Sequence, residues 1–333
     1  MKLLFLKQTI AFSLSLIFAA SVQAGSVRSK NDDGEQRDWV PSGKGHGTPD
    51  IHGPKRVDPG DNGGGLARSA GGATTPGYGI SYHGGPVIGG TTNVYYIWYG
   101  NWSGNTATTI LSDLAVGISG SPYYKINTTY SAGGKIISDV VNLKGQTIDN
   151  YSKGATLSDS GVAQVVSNAI TSGKLPKDAN GVYFVLASKD VKESSGFCTQ
   201  YCGWHSAGSL TGTVIKYSFV GNPEQCPTAC SAQGADKPSP NNNLGADAMA
   251  SIIVHELEEA VTDPNLNAWY DSKGAENADK CAWTFGTTYT SGNGSLANMT
   301  LGSRDFLIQQ NWVNAQKINS NGTVLNGYCS LSY

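Results

Sequence analysis

The chain has 333 residues, 23 of them lysine or arginine and 25 aspartate or glutamate, for a formal net charge of −2 at pH 7. This near balance, with no basic block able to follow a phosphate backbone, excludes nucleic acid as an expected partner. Beyond the N-terminus no stretch is long and apolar enough to span a bilayer, which takes about 20 residues, so a soluble protein with room for a real core, and a monomer, is expected.

Lys2 and Lys7 flank the start of a short apolar run, Ile10 to Ala20, and "SVQAGS" follows with Val22 and Ala24 as small residues fitting a signal-peptidase site. Residues 1–24 therefore read as a signal peptide, and the protein as secreted or extracellular, with the periplasm or cell wall as its setting. From Gly25 to Tyr78 the chain is Gly, Ser, Asp, Lys and Pro with few large apolar side chains. Such a segment cannot offset its ordering entropy and reads as a disordered Gly-rich leader or pro-segment. A folded domain is expected over 79–333.

Near Ile80 the texture changes. Val94 to Tyr99 form a dense β-branched and aromatic run bounded by glycines, which is a core strand. Further strands are expected at Lys135–Val141, Gly181–Ala187 and Val214–Val220, and helices at Thr106–Gly117 and Asp159–Ser172. Interleaved strands and helices favour an α/β or α+β layer architecture with a mixed sheet over a pure sandwich.

Six cysteines in an exported chain, Cys198, Cys202, Cys226, Cys230, Cys281 and Cys329, suit three disulfides with fifteen possible connectivities. The favoured pairing joins Cys281 to Cys329 and ties the other four together locally. A zinc knuckle on the Cys-x3-Cys pairs is the alternative.

The stretch "SIIVHELEEAVTDPN" sets charged residues in a greasy helical run. At 100° per residue Glu259 lies about 40° from His255, so imidazole and carboxylate share one stripe. Glu256 flanks that stripe, whereas Glu258 falls with Asp247 and Ser251 on a polar face and reads as solvated. Asn243 or Asp247 is suited to cap the start, and Pro264 stops the helix.

Buried carboxylates need a cation, and His-Glu-x-x-Glu is one residue from the zinc-protease helix His-Glu-x-x-His, in which the first Glu is the general base of a metal-bound water. Glu259 replaces the second histidine, and a carboxylate can ligate zinc. Downstream, "GAENADKC" supplies Glu276 and Asp279, which resemble the Glu and Asp that follow the metal helix in thermolysin-like gluzincins. The expected metal ligands are then His255, Glu259 and Glu276, with Glu256 as base and Asp279 orienting the histidine. Zn²⁺ is the expected ion, with Mn²⁺ or Ca²⁺ as alternatives for so oxygen-rich a shell. Of the lone histidines, His205 in "CTQYCGWHSAG" is the better candidate for a transition-state donor opposite the water, because disulfides hold its loop rigid. A salt-bridged, purely structural Glu259 is the bland alternative. No Gly-x-Ser-x-Gly elbow and no free thiol remain for serine or cysteine catalysis.

Together "YHGGPVIGGTTNVYYIWYGNW", "GFCTQYCGWH", "FVGNPEQCPTAC", "HELEEAVTDPNLNAWYD", "AENADKC" and "LIQQNW" resemble the EXORDIUM or phosphate-induced protein 1 family over about Tyr82 to Cys329. That resemblance implies secretion to the cell wall or extracellular space and supplies no established reaction. The residue reading adds a zincin-like metallohydrolase cleaving a peptide or protein substrate. Its rival is a non-catalytic extracellular protein that binds a cell-wall polymer or a partner on a degenerate zincin scaffold.

Overall fold

The computed structural model describes residues 78–235 and 237–333; the expected signal peptide and, but for Tyr78, the expected Gly-rich leader lie outside them. Its centre is a mixed six-stranded sheet built from β1 (Gly90–Tyr99), β2 (Ser131–Ala132), β3 (Lys135–Asp149), β4 (Gly181–Ala187), β5 (Gly203–Leu210) and β6 (Thr213–Val220). Their order across the sheet is β2-β3-β1-β4-β6-β5. β1 pairs in parallel with β3 and β4, and β4 with β6, while β2 and β5 close the two edges antiparallel.

Parallel strands need crossover connections, and α1 (Ala107–Gly117) lies in the one from β1 to its neighbour β3 and α2 (Asp159–Thr171) in the one from β3 past β1 to β4. β4, "GVYFVLA", is buried at every position, as expected of a strand covered on both faces. The expected strand at 181–187 is matched residue for residue, and the expected helices 106–117 and 159–172 differ from α1 and α2 by one residue at one end. The strand begun at Lys135 runs on to Asp149.

The third helix, α3 (Leu244–Thr262), carries the His-Glu-x-x-Glu stretch. Asn243 caps it, its side-chain oxygen accepting the Ala246 N–H at 3.0 Å. It ends where Asp263 precedes Pro264, a position that disfavours helical geometry. α3 lies directly on the backbone of β5. A Cβ added at Gly203 would stand 2.6 Å from Ile252 Cγ2, 3.0 Å from the Phe219 carbonyl oxygen and 3.1 Å from Glu256 Oε1. Only glycine lets helix and strand approach this closely.

β5 corrects the reading of the segment around His205 as a disulfide-held loop. "GWHSAGSL" has two glycines and two serines, so its own strand propensity is weak. Pairing with β6 through a two-residue turn makes it a strand: Thr211 and Gly212 have φ of 56° and 75°, the left-handed pair of a tight hairpin.

Glu258 is a second correction. It is wholly buried, its Oε2 accepting from Asn311 Nδ2 at 2.6 Å. Helical angles show which face a residue is on, not what covers it. The covering element is a C-terminal hairpin of β7 (Asn311–Ile318) and β8 (Val324–Ser330), with Tyr123, Tyr124 and Tyr130 nearby.

Cys281 pairs with Cys329 and ties this hairpin to the segment after α3. The other four form Cys198–Cys226 and Cys202–Cys230, joining the two Cys-x3-Cys pairs to each other as disulfides rather than as a knuckle. Among the described residues no helix is long and apolar enough to cross a membrane.

Candidate metal centre

Three elements bring seven titratable side chains together. The edge strand β5 contributes His205; α3 and its end contribute His255, Glu256, Glu259 and Asp263; the segment returning beyond Pro264 contributes Glu276 and Asp279. Five of the seven are buried, His205, Glu259 and Glu276 being 1% exposed or less, and His255 and Asp279 are partly buried.

His205 is ringed by carboxylates. Its Nδ1 lies 3.4 Å from Glu256 Oε2 and 3.4 Å from Glu259 Oε2, and its Nε2 lies 3.6 Å from Glu276 Oε1. His255 makes a separate set. Its Nε2 lies 3.0 Å from Glu259 Oε1 and 3.4 Å from Asp279 Oδ1, and its Nδ1 stands 2.9 Å from Gln309 Nε2. Glu259 joins the two sets, one oxygen in each. His205, Glu259 and Glu276 offer ligand atoms within 4.8 Å of one another, and so do His255, Glu259 and Asp279.

The two sets differ in satisfaction. In the His255 set, Glu259 Oε1 also accepts the Asp279 backbone N–H at 3.1 Å. In the His205 set three buried atoms have no hydrogen-bond partner, His205 Nε2, Glu259 Oε2 and Glu276 Oε1, and Asp263 Oδ2, whose charge acts on Glu276, has none either. Asp263 is held by its other oxygen, which accepts from the Asn267 and Ala268 N–H groups at 2.6 Å each. Orphaned polar atoms in a protein interior are rare and call for an explanation such as an ion. The ion pairs that lysine and arginine make among the described residues all lie elsewhere.

Electrostatics record the same excess of negative charge. Burial pushes the Glu256 carboxyl up to about 7, against the opposing pull of His205 and His255. Glu276 rises well above the ordinary carboxylate range through burial and then through the charges of Glu259 and Asp263. Burial likewise lifts Asp263 to about 7, and Asp279 also upward. Burial acts to raise Glu259 too, but the adjoining imidazoles outweigh it and hold this one carboxylate at about 2. Both histidines resist charging through burial, yet the carboxylates win, raising His205 to about 10 and His255 well above its usual value. Five carboxyls share two imidazoles, a crowding of buried acids that raises four of the five carboxyl pKa values.

Of the residues singled out in the sequence, His255, Glu256, Glu259, Glu276 and Asp279 all converge here. Glu276 faces His205 rather than His255. His205 stands inside the cluster, on a strand. Gln309 and Asp263 went unassigned; "LIQQNW" was visible as a motif, but nothing in it tells that its first glutamine reaches His255.

A cavity of about 60 Å³ opens beside the cluster, lined by Gly203, Ile252, His255, Glu256, Trp283 and Phe285 among others. Trp283 has φ of 61°, left-handed backbone that a bulky residue adopts only when its surroundings impose it. Glu256 thus reaches from His205 to the cavity wall.

The sequence comparisons agree with this architecture's motifs. A family model described as the phosphate-induced protein 1 conserved region matches residues 80–306. "Protein EXORDIUM-like 5" of Arabidopsis thaliana is 33% identical over 274 residues, covering 70% of this chain and 75% of the relative. "Protein EXORDIUM-like 3" of the same plant is 33% identical over 270 residues, covering 70% and 80%. "Protein PHOSPHATE-INDUCED 1" of Nicotiana tabacum is 27% identical over 223 residues, covering 58% and 68%. No solved structure matches. With most of its described length matched by that model, and with relatives aligned over most of their own length, this chain belongs to the phosphate-induced protein 1 family.

Proposed function

We propose that this protein is a secreted metal-dependent hydrolase, acting on peptide bonds, whose ion is held in the buried acidic cluster by Glu259, Glu276 and an imidazole. The observation that carries this reading is the convergence of three buried, unpartnered ligand-type atoms on His205, Glu259 and Glu276. Zinc suits one imidazole with carboxylates; manganese or calcium suits the oxygen-rich remainder. Such an ion, when bound, polarises a carbonyl and acidifies a water.

The chain's own residues supply the rest. Glu256 reaches the cavity wall and is placed to accept a proton from a nucleophilic water there. Ile252 and Phe285, both buried, give the same cavity part of its apolar wall. Asp279 and His255 brace Glu259. Three disulfides are consistent with an oxidising, extracellular setting.

The rival reading, a non-catalytic extracellular protein binding a polymer or partner, is favoured by the burial of Glu259 and Glu276, since a structural ion site is closed and a catalytic one keeps an open position. Metal analysis of the purified protein, with casein or peptide hydrolysis by wild type and Glu256→Gln, separates them. One bound ion and hydrolysis lost in a folded Glu256→Gln supports the enzyme. A bound ion with no hydrolysis in wild type leaves a structural ion in a binding protein, and the absence of any ion removes the enzyme and leaves the non-catalytic reading.

A further inference from the structure

The geometry points to His205 on the edge strand, not His255 of the His-Glu-x-x-Glu helix, as the imidazole that holds the cation with Glu259 and Glu276. This assignment rests on the metal reading above and makes His255 a positioning residue.

Gln309 decides the matter for His255. Its Nε2 lies 2.9 Å from the Ala278 carbonyl oxygen. A carbonyl only accepts, so the amide end facing it must be the NH₂ group, with its two hydrogens. The same Nε2 lies 2.9 Å from His255 Nδ1, which therefore accepts the second hydrogen. An imidazole that accepts at Nδ1 carries its proton on Nε2. That Nε2–H donates to Glu259 Oε1 at 3.0 Å, an ordinary hydrogen bond. Neither nitrogen of His255 is left with a free lone pair.

His205 presents the opposite picture. Its Nε2 is buried and unpartnered. Its three carboxylate contacts, at 3.4, 3.4 and 3.6 Å, all exceed the usual 2.7–3.2 Å of an N–H···O bond. Two ligand atoms about 2.1 Å from one ion at a tetrahedral angle stand about 3.4 Å apart, close to the 3.6 Å between His205 Nε2 and Glu276 Oε1. With Nδ1 turned to Glu256 Oε2 as donor, Nε2 offers its lone pair toward Glu276, the carboxylate–histidine–metal pattern of bound imidazoles.

Glu259 is divided in the same sense. Oε1 is occupied by the Asp279 N–H and His255, and Oε2 is unpartnered. The chain Gln309–His255–Glu259 thus fixes the carboxylate whose other oxygen faces the ion. Asp263 Oδ2, also unpartnered, adds negative charge to that side.

The test uses the full secreted chain, stripped with a chelator and titrated with Co²⁺, whose visible spectrum and X-ray absorption report imidazole ligation. His255→Gln should weaken Co²⁺ by roughly 10–100-fold, the usual effect of losing an outer-sphere support, and keep the one-imidazole signature. His205→Asn should weaken it by at least about tenfold more and lose that signature. Should His205→Asn fail to fold, by circular dichroism, the His255→Gln protein decides alone: a retained imidazole supports the assignment and a lost one overturns it. Equal losses in both variants, or the reverse order, also overturn it while leaving the metal reading intact. Wild type that binds no Co²⁺, Zn²⁺ or Mn²⁺ overturns both.

Discussion

Glu259 Oε1 accepts the backbone N–H of Asp279 at 3.1 Å, across 20 residues of chain. The helix therefore does not present this carboxylate to solvent; the returning segment grips one of its oxygens while His255 grips it as well. Glu259→Ala should leave that buried N–H and the His255 ring without their acceptor and cost about 3–5 kcal/mol, as breaking one partner of a buried pair does. Glu259→Gln keeps an acceptor in place and should cost clearly less. Urea unfolding followed by circular dichroism compares them, and equal costs would contradict the account.

Glu258 is held as a neutral acid. Burial raises its pKa well above the ordinary carboxylate value, with the Asn127 side chain nearby and the hydrogen bond from Asn311 only partly opposing. The folded state thus keeps a proton that the unfolded chain releases above about pH 4. By linkage, stability from this group is full below that pH and declines as pH rises toward the folded pKa. Glu258→Gln mimics the neutral form, so it should flatten this decline between about pH 4 and 7 and cost little. Glu258→Ala strands Asn311 and should cost about 1–3 kcal/mol for the unsatisfied group, before any cavity. Denaturant midpoints measured across that pH range check both.

Gly203→Ala should push α3 off β5. The added Cβ meets Ile252 Cγ2 at 2.6 Å and a backbone oxygen at 3.0 Å. Overpacking of this kind costs about 1–3 kcal/mol. Because β5 carries His205 and α3 carries Glu259, the same change should weaken Co²⁺ or Zn²⁺ binding, whereas Gly212→Ala, with nothing within 4 Å of its Cβ, should strain the turn and spare the ion. Calorimetric titration of each variant with Zn²⁺ distinguishes the two effects.

Chelation should destabilise the fold measurably. An ion at 100 times its Kd contributes about 2.7 kcal/mol. For a domain of this size each kcal/mol shifts Tm by about 2–4 °C, so EDTA should lower Tm by about 5–10 °C, restored by excess Zn²⁺ or Mn²⁺. An unchanged melting curve with and without chelator would show that the cluster holds no ion.

By itself the sequence determined the main strands and helices and the stop of α3, narrowed its cap to Asn243 or Asp247, and favoured the pairing of Cys281 with Cys329. The elements and their ends are written in local terms: the apolar run of "GVYFVLA", Asn243 before a helical period, Pro264 after it. It also delivered most of the acidic cluster, because His255, Glu256 and Glu259 share helical spacing and Glu276 and Asp279 follow closely. What only the tertiary structure decided was partnership. His205 joins these residues because a weakly strand-forming segment is drafted as an edge strand by pairing with β6, and because Gly203 lets α3 lie against it. Glu258 is dry because a hairpin more than 50 residues later covers it. Gln309 settles which ring of two is free to bind, through a contact 54 residues away in the chain. Periodicity reports the direction a side chain takes from its own helix, and long-range packing alone determines what it meets there.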